Sequence, residues 1–175
     1  MSSERINGYA DALVSVAQAE GMGPIIEDEL FRVARAVERS DELQSTLADA
    51  HVPAARRQQI IEDLLDGDVS RVTSALVSMV IAANRGGDLS QILDAAVSQG
   101  AKTRGQAVAE VRSAVPLDDD QQQRLAQALA SATGKNLTIK TVVDESVLGG
   151  IVTTIDDEVI DGSVRHRMAK LREAF

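Results

Sequence analysis

Hydrophobic residues recur at spacings of three and four positions through nearly all of residues 1–105, which is the period of amphipathic α-helices. GMGP at residues 21–24 ends the first stripe, and Pro24 suits the opening turn of the next helix. NRGG at residues 84–87 ends the most apolar stripe. The stripes predict six helices, which hold Ile6–Ala17, Ile26–Val37, Leu43–Leu47, Pro53–Leu65, Val72–Ile81 and Leu89–Val97. Six helices with short connections indicate an antiparallel bundle.

Polar residues at the predicted helix starts agree with this pattern. Ser40 and Asp41 offer a cap for the third helix, and either Asp68 or Ser70 caps the fifth. The last helix of the bundle is expected to run from Asp88 to about Thr103.

The period changes to two after Gly105. Ala107–Val115 alternates between small or apolar and charged residues, which predicts a half-buried strand. Asp118 and Gln121 have the spacing of a capping box, and Gly134 ends the helix that follows. Local pattern alone therefore predicts a strand and then a helix of about four turns.

The remaining residues alternate in three short runs. Leu137–Val143 predicts a strand, and Ile151–Ile155 with Glu158–Ile160 predicts a hairpin that turns at residues 156–157. A final helix is expected over Ser163–Glu173. Its apolar positions, expected to face inward, are Val164, Met168 and Leu171.

The change of period divides the chain into domains at residues 1–105 and 106–175. The prediction is a mainly α protein, with an antiparallel six-helix bundle followed by a small α+β domain. The formal charge is −9. The first part has 10 basic and 16 acidic residues, a balance of −6, and the second has 8 and 11, a balance of −3. Neither part has the clustered positive charge that nucleic-acid binding requires.

Further classes are disfavoured by composition. The chain has no cysteine, so disulfides, thiolate zinc sites and cysteine nucleophiles are excluded. No window approaches the apolar length of a membrane span, and the first residues lack a basic segment followed by an apolar one. These features favour a protein that is not inserted in a membrane, either bacterial or an organellar chain already processed.

The sequence has no complete catalytic or cofactor-binding motif, and the residues that resemble parts of one are interpreted as having structural roles. Asp161, Ser163 and His166 lie close together, but no G-x-S-x-G elbow accompanies them, so Asp161 or Ser163 is interpreted as the cap of the last helix. Gly149 and Gly150 precede a strand pattern, unlike a phosphate loop, which precedes a helix. No metal site or cofactor is expected, and His51, one of two histidines, is expected to be solvated in a loop.

Residues 147–171, VLGGIVTTIDDEVIDGSVRHRMAKL, resemble the C-terminal signature of the delta subunit of F-type ATP synthase. In mitochondria this family is known as the oligomycin-sensitivity-conferring protein. The signature has a Gly-Gly pair before a strand and an Asp-x-Ser segment before a terminal helix. The matching positions here are Gly149, Gly150, Asp161 and Ser163.

Other segments resemble the family in the expected order. They are YADAL from Tyr9, NRG from Asn84, VRSAVPL from Val111 and TGKNLTIKTVVDESVLGG from Thr133. Together with the C-terminal signature, these segments extend the resemblance over nearly the whole chain. Two positions depart from the family pattern: Asp156 stands where glycine is common, and the loop at His51 and Val52 differs from the segment that usually precedes the fourth helix.

The resemblance implies a noncatalytic stator subunit without a cofactor. In this family the bundle binds N-terminal segments of alpha subunits, and the C-terminal part holds the b-type peripheral stalk. Such a subunit is expected at the cytoplasmic face of a bacterial inner membrane, where it helps the catalytic head to resist rotor torque. An unrelated helical adaptor or scaffold is the alternative.

The family places the alpha segment against the first and fifth helices. The candidate contacts are Tyr9, Ala12, Leu13 and Val16 in the first, with Val77, Val80, Ile81 and Asn84 in the fifth. Each aliphatic position is also a candidate for the core, and Tyr9 is the strongest candidate because its ring can be buried while its hydroxyl reaches a partner. The candidate stalk-facing residues are Arg165, Arg167, Lys170 and Arg172, for which a solvated face is the alternative.

Overall fold

The computed structural model describes residues 3–156, 158–164 and 168. The chain divides into two compact units, Met1–Gly100 and Ala101–Phe175, so the division falls within the last helix before the first strand. The described residues are mainly helical up to Thr103 and mixed α and β afterwards. This confirms the predicted fold class.

Between residues 3 and 103 the structure has six α-helices and one 3-10 turn. They are α1 (Ser3–Ala19), α2 (Gly23–Glu38), α3 (Asp41–Ala48), α4 (Ala54–Leu65), α5 (Arg71–Ala82), the 3-10 turn (Gly86–Asp88) and α6 (Leu89–Thr103). Ser40 Oγ accepts a hydrogen bond from Leu43 N at 3.2 Å, and Ser70 Oγ accepts one from Thr73 N at 3.3 Å. Ser40 and Ser70 are therefore the caps that the sequence had left open.

The core of the first unit consists of the apolar stripes that the sequence predicted. In the bundle α1 packs against α2 and α5, α2 packs against α3 and α5, and α4 packs against α5. Burying each large aliphatic side chain stabilises the fold by about 1.5–3 kcal/mol. The largest side chains that are fully or almost fully buried include Leu13, Ile26, Leu30, Leu47, Ile61, Val77, Ile81, Ile92 and Leu93.

In the second unit, the part of the chain that the structure describes includes a helix packed against a four-stranded sheet. Its elements are β1 (Ala107–Ser113), α7 (Asp119–Thr133), β2 (Leu137–Val143), β3 (Ile151–Ile155) and β4 (Glu158–Asp161). The strand order is β2-β1-β3-β4. β1 and β2 are parallel and connected through α7, whereas β3 is antiparallel to both β1 and β4.

The register of the sheet collects small and aliphatic residues on one face. Ala109 of β1 is paired with Ile139 of β2 and with Ile155 of β3. These residues form a core with Leu125 and Leu129 of α7. The alternation in the sequence therefore predicted the buried face of the sheet correctly.

Local turn chemistry fixes both ends of α7 and the hairpin. Asp118 and Gln121 form the predicted capping box, and Gly134 has a φ of 69° at the C-cap. Asp156, in the hairpin turn between β3 and β4, has a φ of 52°. This left-handed conformation favours glycine, and aspartate is among the few other residues that adopt it readily.

One predicted strand end is corrected. The strand predicted to reach Val115 ends at Ser113, where the Ser113 hydroxyl donates a hydrogen bond to Val115 O at 2.7 Å and the chain turns.

The expected burial of two apolar side chains near the C-terminus is also corrected. Val164 and Met168, expected to face inward, are 43% and 64% exposed. Val164 lies against Gly149, and a glycine has no side chain with which to cover it; Leu171 lies outside the described residues.

A close backbone approach ties the 3-10 turn to α3. A Cβ atom added to Gly86 would lie 2.0 Å from Leu47 O and 2.7 Å from Leu47 C. Both obstructing atoms belong to the backbone, so a side chain at Gly86 requires the turn and the helix to separate. The NRGG segment therefore needs glycine at this position for packing.

We expect Gly86→Ala to lower the free energy of unfolding by at least about 1–3 kcal/mol, the usual cost of overpacking a well-packed core. Gly8→Ala is the matched control, because a Cβ atom there meets nothing within 4 Å and an exposed helical glycine costs about 1 kcal/mol relative to alanine. Urea unfolding should show loss of stability in the first variant and a gain in the second. Equal stability of Gly86→Ala and the wild type would contradict the backbone clash.

Candidate partner-binding surface

Four of the eight predicted alpha-segment contacts lie in the core of the bundle. Leu13 of α1 and Val77, Val80 and Ile81 of α5 are all 0% exposed. α1 and α5 contact each other, so these side chains fill the interior of the first unit. A partner that binds to the surface of the bundle in this conformation does not reach them.

The other predicted residues of α1 retain accessible surface. Tyr9 is half-buried, Ala12 is exposed, and Val16 is 38% exposed. Their spacings of three and four residues place them on one flank of α1, beside the buried stripe that contains Leu13. This flank is apolar and partly open.

α5 exposes a second apolar row that sequence reasoning missed. Ala75, Met79 and Ala82 are exposed, and Met79 retains 43% of its accessible surface. These three residues are spaced by four and then three positions, so they lie on one side of α5, away from Val77 and Ile81. That spacing is the sequence feature that could have identified them. Because the buried stripe of α5 was equally apolar, the sequence did not show which stripe faces solvent.

Asn84 is exposed but has a structural role at the end of α5. Its φ is 57°, the left-handed conformation that commonly ends helices. Its Oδ1 accepts a hydrogen bond from Nη2 of Arg57. The exposed fraction of Asn84 is therefore compatible with partner contact, but its amide oxygen is already used within the bundle.

Arg57 of α4 is 3% exposed and binds three oxygens from other parts of the bundle. Nε donates to Val52 O at 3.1 Å, and Nη1 donates to Leu47 O at 3.0 Å, in addition to the bond to Asn84. A buried guanidinium is stable only when its donors are satisfied. These bonds hold the end of α3, the following loop and the end of α5 together.

Glu29 of α2 binds the first turn of α5 from outside that helix. Its carboxylate accepts hydrogen bonds from Ser70 N at 2.9 Å, Ser70 Oγ at 2.7 Å and Thr73 Oγ1. Burial raises the pKa of Glu29, but the hydrogen bonds from Thr73 and Ser70 and the charge of Arg32 outweigh it, so the pKa is lowered overall. The negative charge also interacts favourably with the N-terminus of α5.

The Gly-Gly pair of the second unit forms a backbone corner. Gly150 has a φ of 78°, and an added Cβ atom would lie 2.6 Å from Gly162 O. Val164 N donates to Gly149 O, and Gly162 N donates to Ile151 O, each at 3.0 Å. Close approach of two backbone segments accounts for Gly150, whereas Gly149 has a φ of 138°, which side-chain-bearing residues rarely adopt.

Asp161 and Ser163 have different local roles. Asp161 Oδ1 accepts a hydrogen bond from Ser163 N at 2.8 Å, which closes a turn before the helix. Ser163 immediately precedes Val164, the first described helical residue, so Ser163 occupies the N-cap position. His166 and the predicted stalk-facing Arg165, Arg167, Lys170 and Arg172 lie outside the described residues.

The expected solvation of His51 is confirmed, since its side chain is 98% exposed. The backbone hydrogen bond from His51 N, at 2.8 Å, lowers the pKa of the Asp49 carboxyl, and contact with the His51 ring adds to the effect. Among the described residues, no group of three or more His, Asp or Glu side chains is placed to hold a metal ion. Nor does any helix in the described ranges have the length and apolarity needed to span a membrane.

In the described residues, the first unit is a helical bundle with apolar residues exposed on two packed helices, α1 and α5. The model of the ATP synthase delta (OSCP) subunit family matches residues 6–175 of this sequence. The chain belongs to this family, which confirms the resemblance inferred from its sequence motifs.

Curated relatives from bacteria have similar sequences. "ATP synthase subunit delta" of Corynebacterium efficiens is 38% identical over 164 residues, which cover 94% of this chain and 60% of the relative. The proteins of the same name from Rhodococcus opacus and Streptomyces lividans are 35% and 37% identical, and each alignment covers 94% of this chain and 59% or 60% of the relative. The chain therefore spans about 60% of the length of these relatives.

A solved structure shares the fold. A chain in the cryo-EM structure of the Toxoplasma gondii mitochondrial ATP synthase hexamer has a TM-score of 0.59 and 18% sequence identity to this chain. The alignment covers 97% of this chain and 96% of that one. At this identity the likeness shows the fold alone.

We expect Glu29→Gln to destabilise the bundle at neutral pH, because the lowered pKa shows that the folded state favours the carboxylate. This contribution is present above the ordinary glutamate value of 4.5 and is lost as the pH falls through the lower folded value. Urea unfolding of both proteins at neutral pH and well below 4.5 should show a difference that shrinks in acid. Glu20→Gln, at an exposed position, is the control, and a pH-independent difference for Glu29→Gln would contradict the assignment.

We expect Asn84→Ala to destabilise the bundle more than Asn84→Gly. Both variants leave the Arg57 donor without its acceptor, at a cost of about 1–3 kcal/mol, but alanine also pays about 1–2 kcal/mol for the left-handed conformation. Thermal and urea unfolding of the full chain measure the loss of stability in each variant, and the difference between the variants gives the cost of the left-handed conformation for alanine. Unchanged stability in both variants would show that the contact with Arg57 has little energetic weight.

Proposed function

We propose that this chain is a noncatalytic stator subunit of an F-type ATP synthase, which joins the alpha/beta catalytic head to the b-type peripheral stalk. The observation that carries the proposal is the family match over residues 6–175. A joint of this kind prevents the head from turning with the central rotor, so that proton-driven rotation is converted into ATP synthesis.

The bundle binds the alpha-subunit N-terminal segment along α1 and α5 in this proposal. The open apolar rows of the two helices support it, because an amphipathic helix binds by placing apolar side chains between two helices. Alanines in both rows allow a partner helix to approach closely, while Val16 and Met79 provide larger contacts. The surface consists of Tyr9, Ala12 and Val16 of α1 with Ala75, Met79 and Ala82 of α5.

The expected affinity of one such contact is moderate. Burial of each large apolar side chain contributes about 1.5–3 kcal/mol, whereas association costs about 4–15 kcal/mol. A few buried apolar side chains therefore leave only a small net free energy of binding. Contacts at both units of the chain add avidity when they are made together, which suits a joint under repeated load.

The second unit holds the b-type stalk in this proposal. Among the described residues of this unit several large apolar side chains are strongly exposed, including Leu148 at 71% and Val159 at 61%, and a bound partner would cover them. The basic residues Arg165, Arg167, Lys170 and Arg172 are proposed to contribute charge to the same contact. The relatives are bacterial proteins, so we place the chain at the cytoplasmic face of the inner membrane, bound through the complex.

Calorimetric titration of the full chain with a peptide that copies the N-terminus of the alpha subunit tests the head contact. We expect one-to-one binding at micromolar concentration or tighter, about −8 kcal/mol. Tyr9→Ala, Val16→Lys and Met79→Lys should each weaken it about tenfold or more, because they remove apolar contact or bury a charge.

Ile25→Lys is the matched control, since Ile25 is 55% exposed on α2 and outside the proposed surface. It should bind the peptide as the wild type does, and thermal unfolding should show that all four variants are folded. Titration with a C-terminal fragment of the b-type subunit should be unaffected by the α1 and α5 variants. Failure of the folded chain to bind the alpha peptide would contradict the proposed head contact.

A further inference from the structure

A groove lies between α2, α3 and α4 in the first unit. Its volume is about 580 Å³. The lining side chains are Ala36 and Ser40 before α3, Glu42, Leu43 and Thr46 in α3, and Ile60, Asp63 and Leu64 in α4. None of these residues belongs to the α1 and α5 rows of the proposed alpha-binding surface.

The groove lies on the opposite flank of α4 from α5. Gln58 and Glu62 of α4 contact Ser78 of α5: Ser78 Oγ donates to Glu62, and Gln58 Nε2 donates to Ser78 Oγ at 3.3 Å. Ile60 and Leu64 are one turn apart on the other side of the helix. A molecule bound in this groove therefore does not occupy the outer face of α5.

The floor of the groove is apolar and incompletely covered. Leu43 and Ile60 are half-buried, and Leu64 is 46% exposed. Three large aliphatic side chains that share one concave surface gain free energy when another apolar surface covers them. The open side of this floor fits a row of apolar side chains from a partner.

The rim of the groove carries negative charge. Glu42 and Asp63 line it from α3 and α4, and within the described residues neither carboxylate forms an ion pair. Ser40 and Thr46 supply the remaining polar lining without positive charge. A partner with lysine or arginine beside its apolar residues is complementary to this rim.

The length of the groove suits a short helix. α3 has 8 residues, which corresponds to about 12 Å at 1.5 Å per residue. About two turns of a partner helix span that distance, which brings apolar residues at positions i, i+3 or i+4 and i+7 onto one side. A second copy of this chain is a poor occupant, because its net charge of −9 is repelled by the acidic rim.

We propose that the groove between α2, α3 and α4 binds a basic amphipathic helix of another protein, through Leu43, Ile60 and Leu64 on its floor and Glu42 and Asp63 on its rim. The contact is separate from the proposed alpha-binding surface of α1 and α5. The first unit then carries two separate surfaces for two partner helices, and the charge of this groove selects for a positively charged one.

The test uses the full chain labelled with ¹⁵N and a short peptide of leucine and lysine, with leucines at spacings of three and four residues. We expect the peptide to shift the amide resonances of the residues that line the groove between α2, α3 and α4. Two control peptides separate the contributions: one has the same composition in scrambled order, and the other has glutamate in place of lysine. Neither control should shift these resonances at the same concentration.

Variants of the chain assign the binding to the groove. Leu64→Ser should weaken binding of the leucine–lysine peptide about tenfold, and Glu42→Lys with Asp63→Lys should do the same by reversing the rim charge. Asp11→Lys, at an exposed position of α1, is the charge control and should bind as the wild type does. Met79→Lys should also leave this binding unchanged, which separates it from the proposed alpha contact.

Several outcomes would overturn the inference. They are equal binding of the scrambled peptide, equal binding of the glutamate peptide, resonance shifts confined to α1 and α5, and undiminished affinity in the folded Leu64→Ser variant. The alpha-peptide titration is unaffected by any of these results, so failure of the proposed binding to the groove between α2, α3 and α4 is distinguishable from failure of the proposed function.

Discussion

One buried guanidinium holds three separate segments of the bundle together. Arg57 donates to the carbonyl oxygens of Leu47 and Val52 and to the side chain of Asn84. The same carbonyl of Leu47 lies directly against Gly86 of the 3-10 turn. The end of α3, the loop before α4 and the end of α5 are thus positioned around one side chain, whose removal would leave buried acceptors unpaired.

The two ends of α5 are therefore held by side chains from other helices. Glu29 of α2 binds the first turn through Ser70 and Thr73, and Arg57 of α4 binds Asn84 just beyond the last turn. Because these bonds and the buried stripe fix the helix, its outer face is not needed for folding. That face is free to carry residues suited to a partner, and it exposes two alanines and a methionine.

Elements with a local cause were predictable from sequence. The six helical stripes, the capping box at Asp118 and the glycine cap at Gly134 follow from residue spacing and were confirmed. The contacts of Arg57 and Glu29 were not predictable, because each joins segments whose proximity arises only in the folded bundle. Three of the α5 residues predicted to contact a partner, Val77, Val80 and Ile81, are buried for the same kind of reason: periodicity shows that a helix has two apolar rows but does not show which one a neighbouring helix covers.

The position of Tyr9 gives the chain a built-in spectroscopic reporter. The sequence has no tryptophan and a single tyrosine, so ultraviolet fluorescence from the whole protein comes essentially from one phenol ring. That ring is half-buried on the open flank of α1, where its surroundings change when a neighbouring surface is covered. Emission from the unlabelled protein therefore monitors this flank in isolation, without a dye or an added residue that would alter the surface.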